Sequence, residues 1–221
     1  MTSIGCRLPL SGHRASLERY LRQIIFPTTS VAGKIIEERL PNRHVRDRVR
    51  PSLVLWACDA ADGNLADALP VAAAFELFDR FLMLHDELTD ECAPTVARWG
   101  LGQSLNAGDA YYALAFRSLA SDVENPSARL KAARLVAEAV LDAIVKRNDE
   151  IASASALTAA AMEAGAVIAG APAPAIRAFA TAGERLVRNP TTAAAPLHEY
   201  APADHLQAFE EVVRYVGRPA E

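Results

Sequence analysis

Between Leu65 and Asp90 the chain carries a long, mostly apolar run, LADALPVAAAFELFDRFLMLHDELTD, whose acids crowd together at its end. Leu77, Phe81, Leu84 and Leu88 recur at i, i+4, i+7 and i+11, the spacing of one helix face. Phe75, Phe78 and Leu82 widen that face until little of the circumference is left for solvent. A helix apolar on nearly every side has to be surrounded. Glu76, Asp79 and Arg80 interrupt the run and make it a poor membrane span, so the neighbours must come from protein.

The rest of the chain offers those neighbours. Leu17, Tyr20, Leu21, Ile24 and Ile25 repeat at helical spacing, and further helices are expected over residues 31–40, 52–61, 102–120, 126–153, 157–169, 174–187 and 203–216. Pro, Gly, Asn or Ser separates them, and Asp62-Gly63-Asn64 marks a turn ahead of the apolar run. Only 6% of residues are aromatic while Ala and Leu dominate, a balance that favours close-packed helices over sheets. The expected fold is all-α, a single-domain helical bundle over residues 1–221.

Several function classes drop out on charge and cysteine usage. A net charge of -4 without a long Lys/Arg run speaks against nucleic-acid binding, which depends on neutralising phosphates. Cys6, Cys58 and Cys92 lie far apart without C-x-x-C spacing, so neither a disulfide framework nor a zinc site is indicated, and a reducing cytoplasm fits. No basic-then-apolar leader pattern opens the sequence, and no transmembrane segment is expected.

The acidic end of the long helix breaks two local rules. Asp86 and Asp90, at i and i+4, place like charges roughly 5–6 Å apart between Cβ atoms, on a face that Met83 and Asp79 continue backwards. A helix C-terminus already carries partial negative charge, so a compensating cation is called for. Mg2+ suits such a place, because it takes oxygen ligands and commonly shares one or two carboxylates with a substrate phosphate. The alternative is a solvated helix end with ordinary local pairs. Two further patterns are equally double-valued: the basic stretch RHVRDRVRP, which holds Arg48 and Arg50, and the i, i+4, i+7 series Asp142, Lys146, Asp149, which also reads as an exposed ion-pair ladder.

Taken together these segments resemble the trans-prenyltransferases, or polyprenyl diphosphate synthases, of the isoprenoid synthase fold. Arg48-Val49-Arg50-Pro51 matches the last four positions of that family's G-K-R-x-R-P segment, and His85-Asp86-Glu87-Leu88-Thr89-Asp90 is similar to its first D-D-x-x-D motif, usually preceded by His. PTVARWG and NAGDAYYALAF, residues 94–100 and 106–116, are similar to P-T-x-x-x-x-x-G and A-G-D-x-L-x-x-x-A-F. The resemblance implies Mg2+ held by Asp86, Asp90 and Glu87, and an allylic isoprenoid diphosphate bound by Arg48, Arg50 and Lys146. Asp149, near the family's G-Q-x-x-D segment, and Thr158, in place of its Lys-Thr pair, would complete the pocket. It also points to a homodimer through residues 102–120, where Tyr111, Tyr112, Leu114, Ala115 and Leu119 exceed what one core face requires.

The chain also departs from the pattern. Glu91, Cys92 and Ala93 stand where the family has a longer loop with a consecutive Arg pair, and Leu157-Thr158 keeps the hydroxyl but loses the cation. Pro190, Thr191 and Thr192 occupy the place of the second aspartate-rich motif, and LQAFEEVVRYVGRP resembles the family's last helix, so a shortened C-terminal part is expected. Two functions stay open. One is a divergent prenyltransferase or class I terpene synthase acting on an allylic diphosphate; the other is a catalytically silent partner or regulatory subunit, in a heteromer with a complete prenyl diphosphate synthase.

Overall fold

A computed structural model describes residues 13–25, 30–39, 48–90 and 92–216; Cys6, Leu40, the segment RHVRD ahead of Arg48, and Glu91 lie outside them. Among the described residues there are ten α-helices and no strand. They are α1 (Arg14–Ile24), α2 (Val31–Arg39), α3 (Val49–Ala60), α4 (Leu65–Glu87), α5 (Pro94–Trp99), α6 (Leu101–Asp122), α7 (Pro126–Val145), α8 (Glu150–Ile168), α9 (Ala173–Arg188) and α10 (Ala203–Val216). Two short 3₁₀ turns, Pro190–Thr192 and Ala195–Leu197, link the last two helices.

The apolar run forms α4, and it is buried as its composition demands. Leu77, Phe78 and Leu84 are inaccessible or nearly so, and Phe81 retains only 9% of its surface. The turn before it forms where expected: Asp62 takes a left-handed conformation (φ 59) that Asp tolerates, and Asn64 caps the helix by accepting from the Ala66 N–H at 3.0 Å. Helices α1, α3, α6, α7 and α8 pack around α4. A second core lies on the far side of α3 and α8, where Trp56, Phe179 and Phe209 meet with Leu186 and Leu197. The Trp56 and Phe209 rings stack at 4.9 Å.

Among the helix ends that differ from the sequence expectation, two bear on the site. The helix expected over residues 65–90 ends at Glu87, with Leu88 and Thr89 in a turn. The helix expected over residues 126–153 is two: α7 stops at Val145, and Asp149 starts α8 by accepting from the Ala152 N–H at 2.9 Å. An Asp immediately before an apolar periodic run is an N-cap signal, and here it outweighs the continuity of the helical pattern. Asp142, Lys146 and Asp149 therefore do not share one helix face. Helix α8 has the length and apolarity of a membrane span, and half of that window is buried within the protein.

Close backbone approach sets the position of α8. A Cβ placed on Gly165 would come within 2.3 Å of the Val54 carbonyl oxygen of α3, and one on Gly183 of α9 within 2.6 Å of the Thr158 carbonyl oxygen. Both contacts are with backbone, which cannot rotate aside.

Charges buried inside the bundle are held by opposite charges. Glu76 is fully buried, and its Oε1 accepts from Arg80 Nε at 3.0 Å and Nη2 at 2.8 Å, one turn along α4. Arg48, at the start of α3, lies 3.4 Å from the same oxygen and 3.3 Å from Glu18 of α1. Burial pushes the Glu76 carboxyl above its ordinary range, and Arg80 and Arg48 pull against it.

Replacing Gly165 by Ala is expected to cost about 1–3 kcal/mol, because the α3–α8 contact has to open. Gly102→Ala, a position with nothing near the added Cβ, should be neutral or stabilising by about 0.5–1 kcal/mol. Urea denaturation of both variants checks this contrast. Arg80→Met, which removes both hydrogen bonds to Glu76 and leaves it Arg48 alone, should cost about 3–5 kcal/mol at neutral pH. A carboxyl raised in the folded state binds a proton that the unfolded chain releases, so stability falls as pH rises from the ordinary glutamate value of 4.5 through the raised one. The Arg80→Met loss should therefore shrink on acidification through that window, as read from denaturation curves at a series of pH values.

Candidate functional site

The acidic end of α4 and the break between α7 and α8 meet across a cleft of ≈ 480 Å³. Its α4 wall is the series Asp79, Leu82, Met83 and Asp86, at i, i+3, i+4 and i+7, with Phe81 and His85 beside them. The α8 wall has the same spacing: Glu150, Ser153, Ala154 and Leu157. Ala143 and Ile144 of α7, Arg147 in the interhelical turn and Arg50 of α3 complete it. The cleft thus has an apolar lining and polar groups of both signs.

The charged groups form two cross-helix pairs. Arg50 Nη1 donates to Asp79 Oδ1 at 2.5 Å, and Arg147 Nη2 lies 2.5 Å from Asp86 Oδ1. Asp86 is seven positions after Asp79, so the pairs stand about 10 Å apart along α4. They differ in burial. The side chains of Arg50 and Asp79 are 25% and 11% exposed, whereas those of Arg147 and Asp86 are 47% and 62% exposed. Burial pushes the Asp79 carboxyl upward, and the Arg50 guanidinium opposes the shift. The His85 ring sits over Gly108 of α6, where a Cβ would come within 2.4 Å of it, and Nδ1 lies 3.0 Å from the Phe81 carbonyl oxygen.

The residues singled out in sequence are distributed differently. Arg50 and Asp86 line the cleft together. Glu87 is on another side of α4, where Arg39 of α2 makes an ion pair with it and Thr95 of α5 donates to it at 2.9 Å. Asp90 lies beyond the helix end, and its Oδ1 accepts from the Cys92 N–H at 2.8 Å. The i, i+4 relation to Asp86 is thereby lost, because α4 ends three residues short of Asp90. Arg48 belongs to the buried network with Glu76 and Glu18. Lys146 pairs with Asp142 at 2.7 Å, Asp149 caps α8, and the Thr158 hydroxyl donates to the Ala154 carbonyl at 2.7 Å. Residues 190–192 form a 3₁₀ turn after α9.

Three charged cleft groups were not singled out as site residues in the sequence: Asp79, Arg147 and Glu150. Asp79 had a signal in its i, i+7 relation to Asp86. Arg147 had none, because its reach across to α4 depends on the chain breaking helix at Lys146.

The donor set tests what cation the cleft could hold. Among the described residues no three His, Cys, Asp or Glu side chains converge into a metal cage. Mg2+ does not require one, since it keeps several waters and binds through one or two carboxylates plus phosphate oxygens. Asp86, an exposed carboxylate paired with Arg147 in a cleft that Arg50 also lines, fits that shared arrangement.

No family model matches the chain. Over 154 residues it is 33% identical to the (2E,6E)-farnesyl diphosphate synthase of Mycobacterium tuberculosis (strain ATCC 25618 / H37Rv), covering 59% of this chain and 43% of that protein. Over 89 residues it is 37% identical to the geranylgeranyl diphosphate synthase of Methanosarcina mazei, covering 38% of this chain and 27% of that protein. The matched segments thus span less than half the length of either relative. The fold superposes on the geranylgeranyl pyrophosphate synthetase of Geoglobus acetivorans with a TM-score of 0.82 at 13% identity, covering 95% of this chain and 98% of that one. It superposes on a deletion mutant of the heterotetrameric geranyl pyrophosphate synthase of mint with a TM-score of 0.81 at 16% identity, covering 92% and 98%. The helical bundle is of the isoprenoid synthase type, and in sequence the chain is similar to prenyl diphosphate synthases.

Proposed function

We propose that the cleft between α4, α7 and α8 binds an allylic isoprenoid diphosphate together with Mg2+, as a divergent prenyltransferase or terpene synthase. The observation that carries this is the meeting of Arg50 and Asp86, drawn from two separate motif segments, in one apolar-lined cleft. Arg50 supplies a planar fork of donors suited to phosphate oxygens, and Asp79 holds that fork in place. Asp86 offers the carboxylate through which Mg2+ is shared with the diphosphate. The bound ion would offset the charge of the leaving diphosphate. Phe81, Leu82, Met83, Ile144 and Leu157 give the hydrocarbon tail an apolar surface and exclude water from it.

A second reading is favoured by a specific observation. Glu87, Asp90 and Lys146 are each engaged in contacts that serve the fold, with Arg39 and Thr95, the Cys92 N–H, and Asp142. Ionising a diphosphate asks for strong preorganised charge stabilisation, where a single lost donor costs roughly 3–4 kcal/mol. A cleft with this few disposable charges also suits a chain that binds the ligand silently and regulates a complete synthase. The likeness to a subunit of a heterotetrameric synthase supports that alternative.

A homodimer through α6 is part of the proposal. Tyr111, Ala115 and Leu119 face the chain's own core, so the contact would fall to Leu101, Leu105 and Tyr112, which are exposed on α6. Leu105→Glu should then shift the mass measured by light scattering from dimer to monomer.

Inorganic pyrophosphate should bind about 5–150-fold more tightly with Mg2+ than without, each ligand strengthening the other by the same factor. Asp86→Asn should remove most of that factor, and Asp90→Asn little, because only Asp86 lines the cleft. Calorimetric titration measures both. Equal affinities with and without Mg2+ would overturn the binding site. Incubation with Mg2+ and allylic diphosphates of several lengths, with product analysis, separates the enzyme from the silent subunit.

A further inference from the structure

Both charged pairs in the cleft are self-neutralising, and their burial decides which one can open. The Arg50–Asp79 pair is largely enclosed, so separating it would leave a buried carboxylate without its cation. The Arg147–Asp86 pair is about half exposed, and water can take over from either partner at little cost. Arg147 stands in the four-residue turn between α7 and α8, and it reaches back to α4 through Asp86 Oδ1 and, at 3.3 Å, the His85 carbonyl oxygen. It is therefore a cation on a short tether, parked on the carboxylate to which a metal would bind.

We infer that Arg147 is the exchangeable counter-ion of Asp86, released from that carboxylate when metal binds and transferred to a phosphate oxygen of the incoming ligand. The inference rests on the proposed use of the cleft for Mg2+ and a diphosphate. It adds a binding residue and a physical origin for the dependence of each ligand on the other. Metal alone must break the pair and leaves Arg147 without its carboxylate. Pyrophosphate alone must also break it to recruit Arg147, leaving Asp86 uncompensated. When both bind, the pair opens once and each partner finds a new opposite charge. That shared cost appears as positive coupling over and above direct contact between metal and phosphate.

The consequence can be separated from a tethering role. Arg147→Gln removes the competitor for Asp86, so Mg2+ alone should bind several-fold more tightly to the variant than to the natural chain. The same variant should bind pyrophosphate alone, in the presence of a chelator, about tenfold more weakly, since one charge-assisted contact is lost. The factor by which each ligand strengthens the other should fall several-fold. Arg147→Lys keeps the charge and should restore much of the pyrophosphate affinity.

Calorimetric titrations of Mg2+, of pyrophosphate and of the two together, on the natural chain and these variants, read all three quantities, with circular dichroism confirming the helical fold. If Arg147 merely ties the α7–α8 turn to α4, Arg147→Gln leaves Mg2+ affinity unchanged or lower, and the inference is overturned. Failure of the underlying site looks different: the natural chain then shows no coupling, and Asp86→Asn changes nothing.

Discussion

A carboxylate in the middle of an apolar bundle has to be matched by a cation, and on α4 there are two, Glu76 and Asp79. Taking such a group from water costs several kcal/mol after relaxation, and that cost is offset only by good ionic and hydrogen-bonding geometry. Arg80 answers Glu76 from within the helix, Arg48 approaches the same carboxylate from the start of α3, and Arg50 answers Asp79 two residues later. The start of α3 is thus clamped to α4 by electrostatics as well as by packing. Because Arg48 also reaches Glu18, α1 is drawn into the same network.

This clamp defines the cleft. Arg48 and Arg50 look equivalent in the Arg-x-Arg-Pro segment, yet their side chains divide the labour: the first is buried in the structural network, and the second borders the cavity with Asp79. The three acids at the end of α4 divide in the same way. Asp86 faces the turn between α7 and α8, Glu87 faces α2 and α5, and Asp90, past the helix end, accepts from the Cys92 N–H. One residue along a helix rotates a side chain by about 100°, so neighbours in sequence serve different partners.

The opposite wall depends on a chain break. Had α7 and α8 been continuous, as the helical pattern over residues 126–153 suggests, Arg147 would have stayed on the helix surface beside its neighbours. The Asp149 cap starts a new helix instead, and the turn before it aims a guanidinium at Asp86. Gly165 and Gly183 then let α8 lie close to α3 and α9, which holds Glu150, Ser153, Ala154 and Leu157 on the cleft.

The apolar circumference of residues 65–90 was enough to require a surrounded helix, and helical spacing elsewhere was enough to make the fold all-α, since burial and periodicity are local consequences of residue type. The segments containing Arg50 and Asp86 stood out through their resemblance to known motifs, and the face shared by Asp79, Met83 and Asp86 through helical spacing. Folding in three dimensions assigned the partners. Whether a carboxylate meets a metal, an arginine or a backbone N–H depends on what a distant helix places within about 3 Å. Glu87 therefore joined Arg39 and Thr95, and Asp86 received Arg147 across 61 residues of chain. Helix ends belong to the same class, because stopping α4 at Glu87 or α7 at Val145 balances one turn of helix against caps and contacts outside it. Spacing along the chain carries the periodicity of a helix, while the meeting of opposite charges across a cleft exists only once the helices have packed.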